Sequence, residues 1–492
     1  MGKKRVYAAA LLFAALFFGL PAASWAQGLY ADDVERAVQT ANRVEWQAKF
    51  DAAKATVAGF RVATLDDFIK INAWHRAFSN DGAVVHRFIT AHGERIVCVD
   101  VKTQRAVAAS GADPNHLPSP PETPPPVAEP APGGPQPVEG FGLDGSRDEN
   151  GAARACPAGS FPKLIPPLET FYRFRHFTDI FKKDPDGSRP PPAADGSGGG
   201  GPTHQYTIVG AQGDAYTGLR ATFNLWLQRV ERNEEFTLVQ LWVSGGRNSE
   251  LQTAEAGVQH YFDMYFNDYD NLFIFYTTDG YQNTGCYNLT CAAFVQTDAS
   301  VVLGGSYPNY SVAGGAQYTA TIGFVRHADD GNWWLYHNGT WVGYYPNSLY
   351  APSGIANQGT NPEFGGELID SEYGGVHTST EMGSGQFPSA GYRSAAFVSQ
   401  VQYLDLSLNW QNLANLATYA SVPLLWEIGA VNEDLGDPNW LVNFYYGGPG
   451  KGGVDDDDDD NDDNDDNDND DSAVAPPAAR QSSSAAKSGC GV

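Results

Sequence analysis

Two cysteines five positions apart, Cys286-Tyr-Asn-Leu-Thr-Cys291, are the first candidate chemistry in this chain of 492 residues and 5 cysteines. They would close a short disulfide loop worth roughly 2 kcal/mol where the strand geometry suits it, given an oxidising compartment. A metal site is the other use of such a pair, but no second Cys or His pair nearby completes a tetrahedral set. Cys98 and Cys156 could form a second bridge, which leaves Cys490 over. The 10 histidines are scattered, and neither HExxH nor GxSxG occurs. "GSGGGG" (196–201) follows no strand and reads as linker rather than phosphate cradle. No metal and no cofactor are expected. Carboxylate chemistry remains. Two carboxyls held close cannot easily both ionise, so one stays protonated while the other is charged, supplying acid and base together at acidic pH. Spacing alone selects no pair, because most glutamates on β domains are solvated, and Glu363, Glu372 and Glu381 are all available.

The elements that would position such groups follow an export signal. "MGKKRVYAAALLFAALFFGLPAASWAQG" has a basic head, an apolar run and small residues before Ala26, the pattern of a secretory signal peptide over 1–26. The apolar run is too short to span a bilayer, so the expected product is secreted, extracellular or periplasmic, with no membrane anchor. The net charge is −27, but the run 455–471 holds 13 aspartates, so about half of it is confined to one stretch of a tail (446–492) expected to be disordered. An acidic chain lacks the basic footprint that nucleic-acid binding needs.

Between these ends, residues 30–57 carry Val34, Ala37, Val38, Ala41 and Val44 at helical spacing. "DFIKINAWHRAF" (67–78) is a shorter helix candidate, and "VVHRFITAHGERIVCVDV" (84–101) reads as a hairpin. This small α+β region, 27–117, precedes a segment, 118–202, of Pro/Gly-rich linkers around a short piece at 150–183. From 203 to 445, short runs rich in Val, Ile, Thr, Phe, Tyr and Trp alternate with Gly, Asn and Asp, which argues for an all-β sandwich or barrel. Asn338-Gly339 within "WWLYHNGTWVGYY" is the preferred pair of a two-residue hairpin turn. In "TLVQLWV" (237–243), Val239, Leu241 and Val243 share one core-like face. Gln240 and Trp242 share the other, which suits a polar cleft.

The motifs "EEFTLVQLWVSGG", "TAEAGVQHYF", "TDGYQNTGCYNLTCAAFVQ", "GNWWLY", "VGYYP", "EFGGELID" and "HTSTEMGSGQFP" occur in the order found in the neprosin family. The resemblance covers residues 203–402. Upstream, "GERIVCVDVKTQRAV" and "CPAGSFPKLIP" resemble that family's activation peptide. The resemblance implies a sandwich of two antiparallel sheets and a secreted glutamic peptidase, with Glu255 of Glu-Ala-Gly-Val and Glu367 of Phe-Gly-Gly-Glu as the catalytic pair. Val258 and Phe364 stand where the family has tryptophan, a replacement expected to touch substrate contacts more than chemistry. The family's cysteines at Cys286 and Cys291 are likewise bonded. Gln240, Trp242 and Tyr281 are candidates for substrate binding or for stabilising the oxyanion.

These readings combine into a zymogen. The leader, residues 27 to about 200, would act as an intramolecular inhibitor until acidification loosens it, and cleavage within 184–202 would release an endopeptidase acting on polypeptide substrates, with a preference for cutting after proline. The alternative is a non-catalytic carbohydrate- or protein-binding sandwich that stacks ligands on exposed Trp333, Trp334 and Trp341.

Overall fold

The computed structural model describes residues 30–122, 125, 134–138, 140–183, 203–211, 215–370, 377–432 and 440–451. The export signal, the 184–202 linker and the acidic run lie outside them. Among the described residues no helix is long and apolar enough to cross a membrane.

The leader starts with α1 (Ala31–Thr40) and α2 (Arg43–Thr56), where the periodicity predicts one helix over 30–57. Asn42 interrupts it: its backbone is extended, and its side chain accepts from Glu45 N, so it starts a second helix as N-cap. α3 (Leu65–Ser79) is capped by Thr64 and buries Phe68, Ile69, Ile71, Trp74 and Phe78. The predicted hairpin is present as β1 (Val84–Ile89) and β2 (Arg95–Asp100), followed by α4 (Arg105–Ser110). The linker expected to be unpacked ends in β3 (Gln136–Pro137), which is hydrogen-bonded to the sandwich. Residues 150–183 also pack. β4 (Ser160–Leu164) adds a third strand beside β2, and two 3₁₀ turns, Leu168–Arg173 and Phe177–Phe181, carry the chain onward to Lys183.

The β domain comprises β5 (Thr203–Gly210), β6 (Gly218–Asn224), β7 (Thr237–Gly245), β8 (Gln252–His260), β9 (Asn271–Thr277), β10 (Cys286–Tyr287), β11 (Val295–Gln296), β12 (Tyr318–Arg326), β13 (Trp333–His337), β14 (Thr340–Tyr345), β15 (Glu363–Asp370), β16 (Ala396–Leu404), β17 (Trp410–Asn412), β18 (Ala417–Ala420), β19 (Glu427–Val431) and β20 (Phe444–Gly447). One sheet has the order β10-β9-β8-β7-β15-β5-β18. The second runs β11-β14-β13-β12-β6-β16-β20-β19, with β17 on β16 and β3 on β12. Pairing within the β domain is antiparallel. Between the sheets lies an apolar core that includes Val239, Leu241, Val258, Phe364, Phe223, Ile322 and Trp333. The β13–β14 turn is Asn338-Gly339, both at positive φ, as the sequence predicts. Cys98–Cys156 and Cys286–Cys291 are disulfides.

Candidate active site

Four neighbouring strands, β8, β7, β15 and β5, present one face to the leader. Their register sets three rows of side chains across that face. One row is Glu255, Trp242 and Glu363; the next is Gly257, Gln240 and Gly365; the third is Gln259, Leu238, Glu367 and Tyr206. Glu255 and Glu367 therefore lie on a diagonal, one row to either side of Gln240. Both residues flanking Gln240 across the sheet are glycine, which leaves a hollow between the two carboxyls. Neither position admits a side chain. A Cβ on Gly257 would lie 2.0 Å from the Val239 carbonyl oxygen, and one on Gly365, whose φ is +153°, would lie 1.9 Å from that of Thr207.

Lys183 occupies the hollow. Its Nζ donates to Glu255 Oε2 at 2.5 Å and to Glu367 Oε2 at 2.7 Å. It also stands 5.5 Å from the Trp242 ring centre and 6.0 Å from that of Tyr281. Both carboxyls are sealed from solvent, at 0% and 1% exposure. One atom that donates to both acids is a direct measure of their separation: a single small group can touch the two together.

The other oxygens are engaged differently. Glu255 Oε1 accepts from Thr253 Oγ1 (2.7 Å) and the Tyr281 hydroxyl (2.6 Å). Glu367 Oε1 accepts from His204 Nδ1 (2.5 Å) and the Tyr206 hydroxyl (3.3 Å), while Oε2 also accepts from Gln240 Nε2 (2.6 Å). Burial opposes ionisation of Glu367, but the Lys183 ammonium and the His204 hydrogen bond outweigh it and hold the carboxyl at about 2. Burial also works against the Lys183 charge, yet the two carboxylates push its pKa up, so it stays an ammonium. The Tyr281 and Tyr206 phenols are raised well above their usual value by burial and by the nearby carboxylates, and remain donors. Glu363, in the same row as Glu255, is raised to about 7 by burial and by the charge of Glu255. The Gln240 carbonyl oxygen is fully buried without a hydrogen-bond partner, and such an orphan is costly unless a ligand uses it.

All five site residues singled out from the sequence, Glu255, Glu367, Gln240, Trp242 and Tyr281, converge on this face. In this form the Gln240 amide and the Tyr281 hydroxyl are spent on the carboxylates. Lys183, His204, Tyr206 and Thr253 are not singled out by the sequence, and Glu363 stands there only as one of several available glutamates. The alternation of His204, Tyr206 and Ile208 at the start of the β domain was the available signal for two of them. Lys183 offered only its place in a basic pair directly before the linker.

Two expectations are overturned. Val258 and Phe364 do not face the cleft. They pair across the sheet with Val239 and Leu241 and are buried in the core, because they sit one residue out of phase with Gly257 and Gly365. Nor are the proposed sugar-stacking indoles exposed. Trp333 is buried in the core with its Nε1 on the Ile355 carbonyl. Trp334 is buried with Tyr344 against Ala106 and Val107 of α4, and Trp341 is half-buried beside them.

The leader is fastened around the site by further contacts. Trp74 Nε1 donates to the Thr290 carbonyl inside the Cys286–Cys291 loop (3.2 Å). Arg173 pairs with Asp263 (3.0 Å) and Arg61 with Glu234 (2.8 Å). Gln104 and Gln296 exchange hydrogen bonds.

Residues 233–449 match the family model described as Neprosin. Solved structures similar to this chain include scytalido-glutamic peptidase with a peptide-based transition state analog, at 10% identity and TM-score 0.27, covering 50% of this chain and 98% of that one. Another is SCP-B, a member of the Eqolisin family of peptidases, in a complex with the tripeptide Ala-Ile-His, at 9% identity and TM-score 0.27, with the same coverage.

Proposed function

We propose, from the premise that this chain belongs to the neprosin family of peptidases through residues 233–449, that it is a secreted glutamic endopeptidase made as a zymogen. The observation that carries this reading is the single Lys183 nitrogen held by both Glu255 and Glu367. Where an ammonium now sits, a water bound between the same two oxygens would be set to attack a peptide carbonyl. One glutamate takes the water proton, and the other, protonated, delivers a proton to the leaving amine. Gln240 and Tyr281 keep their hydrogen bonds to Glu367 and Glu255 when the leader leaves, so they hold the two carboxyls in place and reach an oxyanion only by exchanging those bonds during the reaction.

Latency follows from the same contact. Lys183 belongs to the leader, so the intact precursor keeps the hollow filled and both acids neutralised. Removing one member of a buried ion group costs on the order of 3–5 kcal/mol, so the leader stays while both carboxylates are charged. The pH window is set by the shifted groups. With the leader docked Glu367 is depressed to about 2, Lys183 being the foremost of the groups that lower it, so its contribution to holding the leader is lost as pH falls toward 2 from the higher value the carboxyl takes without Lys183. Asp263, raised to about 6 by burial despite Arg61 and Arg173, acts in the opposite sense: docking strengthens as pH falls from 6 toward its unperturbed value of 3.8. Release is therefore expected below about pH 4.5 rather than near 6.

The aromatic walls Trp242 and Tyr281 suit the packing of a proline ring. Both departures from the family pattern, Val258 and Phe364, lie in the core, so the post-proline preference implied by the resemblance is retained in this proposal.

The test uses the full-length precursor at pH 3–4, followed by mass and by hydrolysis of denatured protein. Wild type should shorten within 184–202 and cleave substrate. Glu255→Gln and Glu367→Gln should fold and do neither. A precursor that keeps its mass and cleaves nothing sinks the proposal.

A further inference from the structure

The two ends of the 184–202 segment meet on one carboxyl. Lys183 donates to Glu367 Oε2 from its N-terminal side, and His204 Nδ1 contacts Oε1 from its C-terminal side. Processing between them removes the first and retains the second. Among the described residues Glu255 has no comparable second nitrogen, its remaining partners there being the hydroxyls of Thr253 and Tyr281. The site is therefore asymmetric in a way that outlasts loss of the leader.

We infer that His204 is a positioning residue which fixes Glu367 as the general base, leaving Glu255 as the general acid. This rests on the glutamic-peptidase reading and gives each acid its role. An ionised carboxylate only accepts, so the His204 ring must present Nδ1–H to it. The ring is held for that purpose: its side chain is 4% exposed, it stacks on Tyr206 at 6.0 Å and 14°, and it meets Phe236 edge-on at 5.7 Å. Among the described residues the groups facing Glu367 are Lys183 from the leader, His204 and Tyr206 from β5, and Gln240 from β7; Glu255 lies across the hollow. After the leader departs, three donors still favour the Glu367 anion. Glu255 keeps two hydroxyl donors on Oε1, and its Oε2, freed of Lys183, is the oxygen able to hold a proton.

The step balances on these atoms. The water oxygen bonds to the substrate carbonyl carbon as its proton passes to Glu367 Oε2. The tetrahedral intermediate then expels the amine as the C–N bond breaks, and the amine nitrogen takes the proton from Glu255 Oε2. Water and peptide become acid and amine, and the proton on Glu367 exchanges back to Glu255 through solvent before the next turnover.

His204→Phe keeps the stacking and removes the donor, whereas His204→Asn keeps a donor near the Nδ1 position. With acid-treated full-length protein and a soluble peptide substrate, His204→Phe should lower kcat at pH 3 by about 100-fold and move the acid limb of the kcat profile upward by one unit or more, toward 4.5. His204→Asn should recover most of both. A second measurement does not depend on turnover: carboxyl ¹³C NMR titration of Glu367 in the precursor carrying Lys183→Met and Glu255→Gln, where adding His204→Phe should raise the midpoint. An acid limb and a midpoint that stay where they were, with only thermal stability reduced, would reduce His204 to a packing residue and overturn the inference. Activity that survives Glu255→Gln and Glu367→Gln in the same assay would instead remove the peptidase reading beneath it.

Discussion

On β8, Glu255, Gly257 and Gln259 look toward the leader, while Ala254, Ala256 and Val258 look into the sandwich; β15 divides in the same way, with Glu363, Gly365 and Glu367 against Phe364 and Leu368. Both faces are largely buried, but by different partners. The second sheet closes one permanently with apolar side chains. The segment upstream of the β domain closes the other with the Lys183 ammonium and a set of hydrogen bonds. Sealing charged groups under a cover that carries its own cation keeps the acids paired, whereas a charge on the core face would find no counter-ion. The difference teaches that burial alone does not separate core from site here; the chemistry of the covering partner does.

Substitutions can break this contrast. The largest effect belongs to the cleft face: Glu367→Gln or Glu255→Gln, with the leader removed in trans by the wild-type enzyme, should lower kcat by at least 10³-fold, about 4 kcal/mol of barrier, with the melting temperature of the processed protein changed by no more than a few degrees. On the core face, Phe364→Ala should cost about 3–5 kcal/mol of stability in denaturant unfolding, while kcat of the protein that remains folded stays within a few-fold. Lys183→Met acts on the cover: by removing the cation from the hollow it should raise by one to two units the pH at which the precursor shortens, read by mass after timed incubation. The smallest effect is expected at Glu363. Its carboxyl, raised to about 7, is neutral at acidic pH, so Glu363→Gln should leave activity at pH 4 within about threefold and remove an inflection near pH 7. A Phe364→Trp variant that alters cleavage preference without loss of stability would erase the contrast from the other side.

Much of the fold was legible because period-two alternation and turn chemistry are local properties. The β13–β14 hairpin follows from Asn338-Gly339, and the two faces of β7 follow from the order of Val239, Gln240, Leu241 and Trp242. The same alternation would have sent Val258 and Phe364 to the core had it been extended from β7 to its neighbours. The break at Asn42 was missed because apolar spacing continues across it while its side chain caps a new helix. The cover over the site was not legible: Lys183 lies 72 positions from Glu255 and 184 from Glu367, and nothing local marks a lysine as the occupant of a distant hollow.

By itself, the sequence determined that strands form and which side chains share a face of each strand, and its resemblance to neprosin motifs singled out Glu255 and Glu367 as candidate acids. Only the tertiary structure decided that the two stand one row to either side of Gln240, that Lys183 lies between them, and that His204 reaches one and not the other. The physical reason is register. Side-chain alternation is fixed within a strand, but which row meets which, and what covers it, depends on hydrogen bonds between strands brought together from far along the chain.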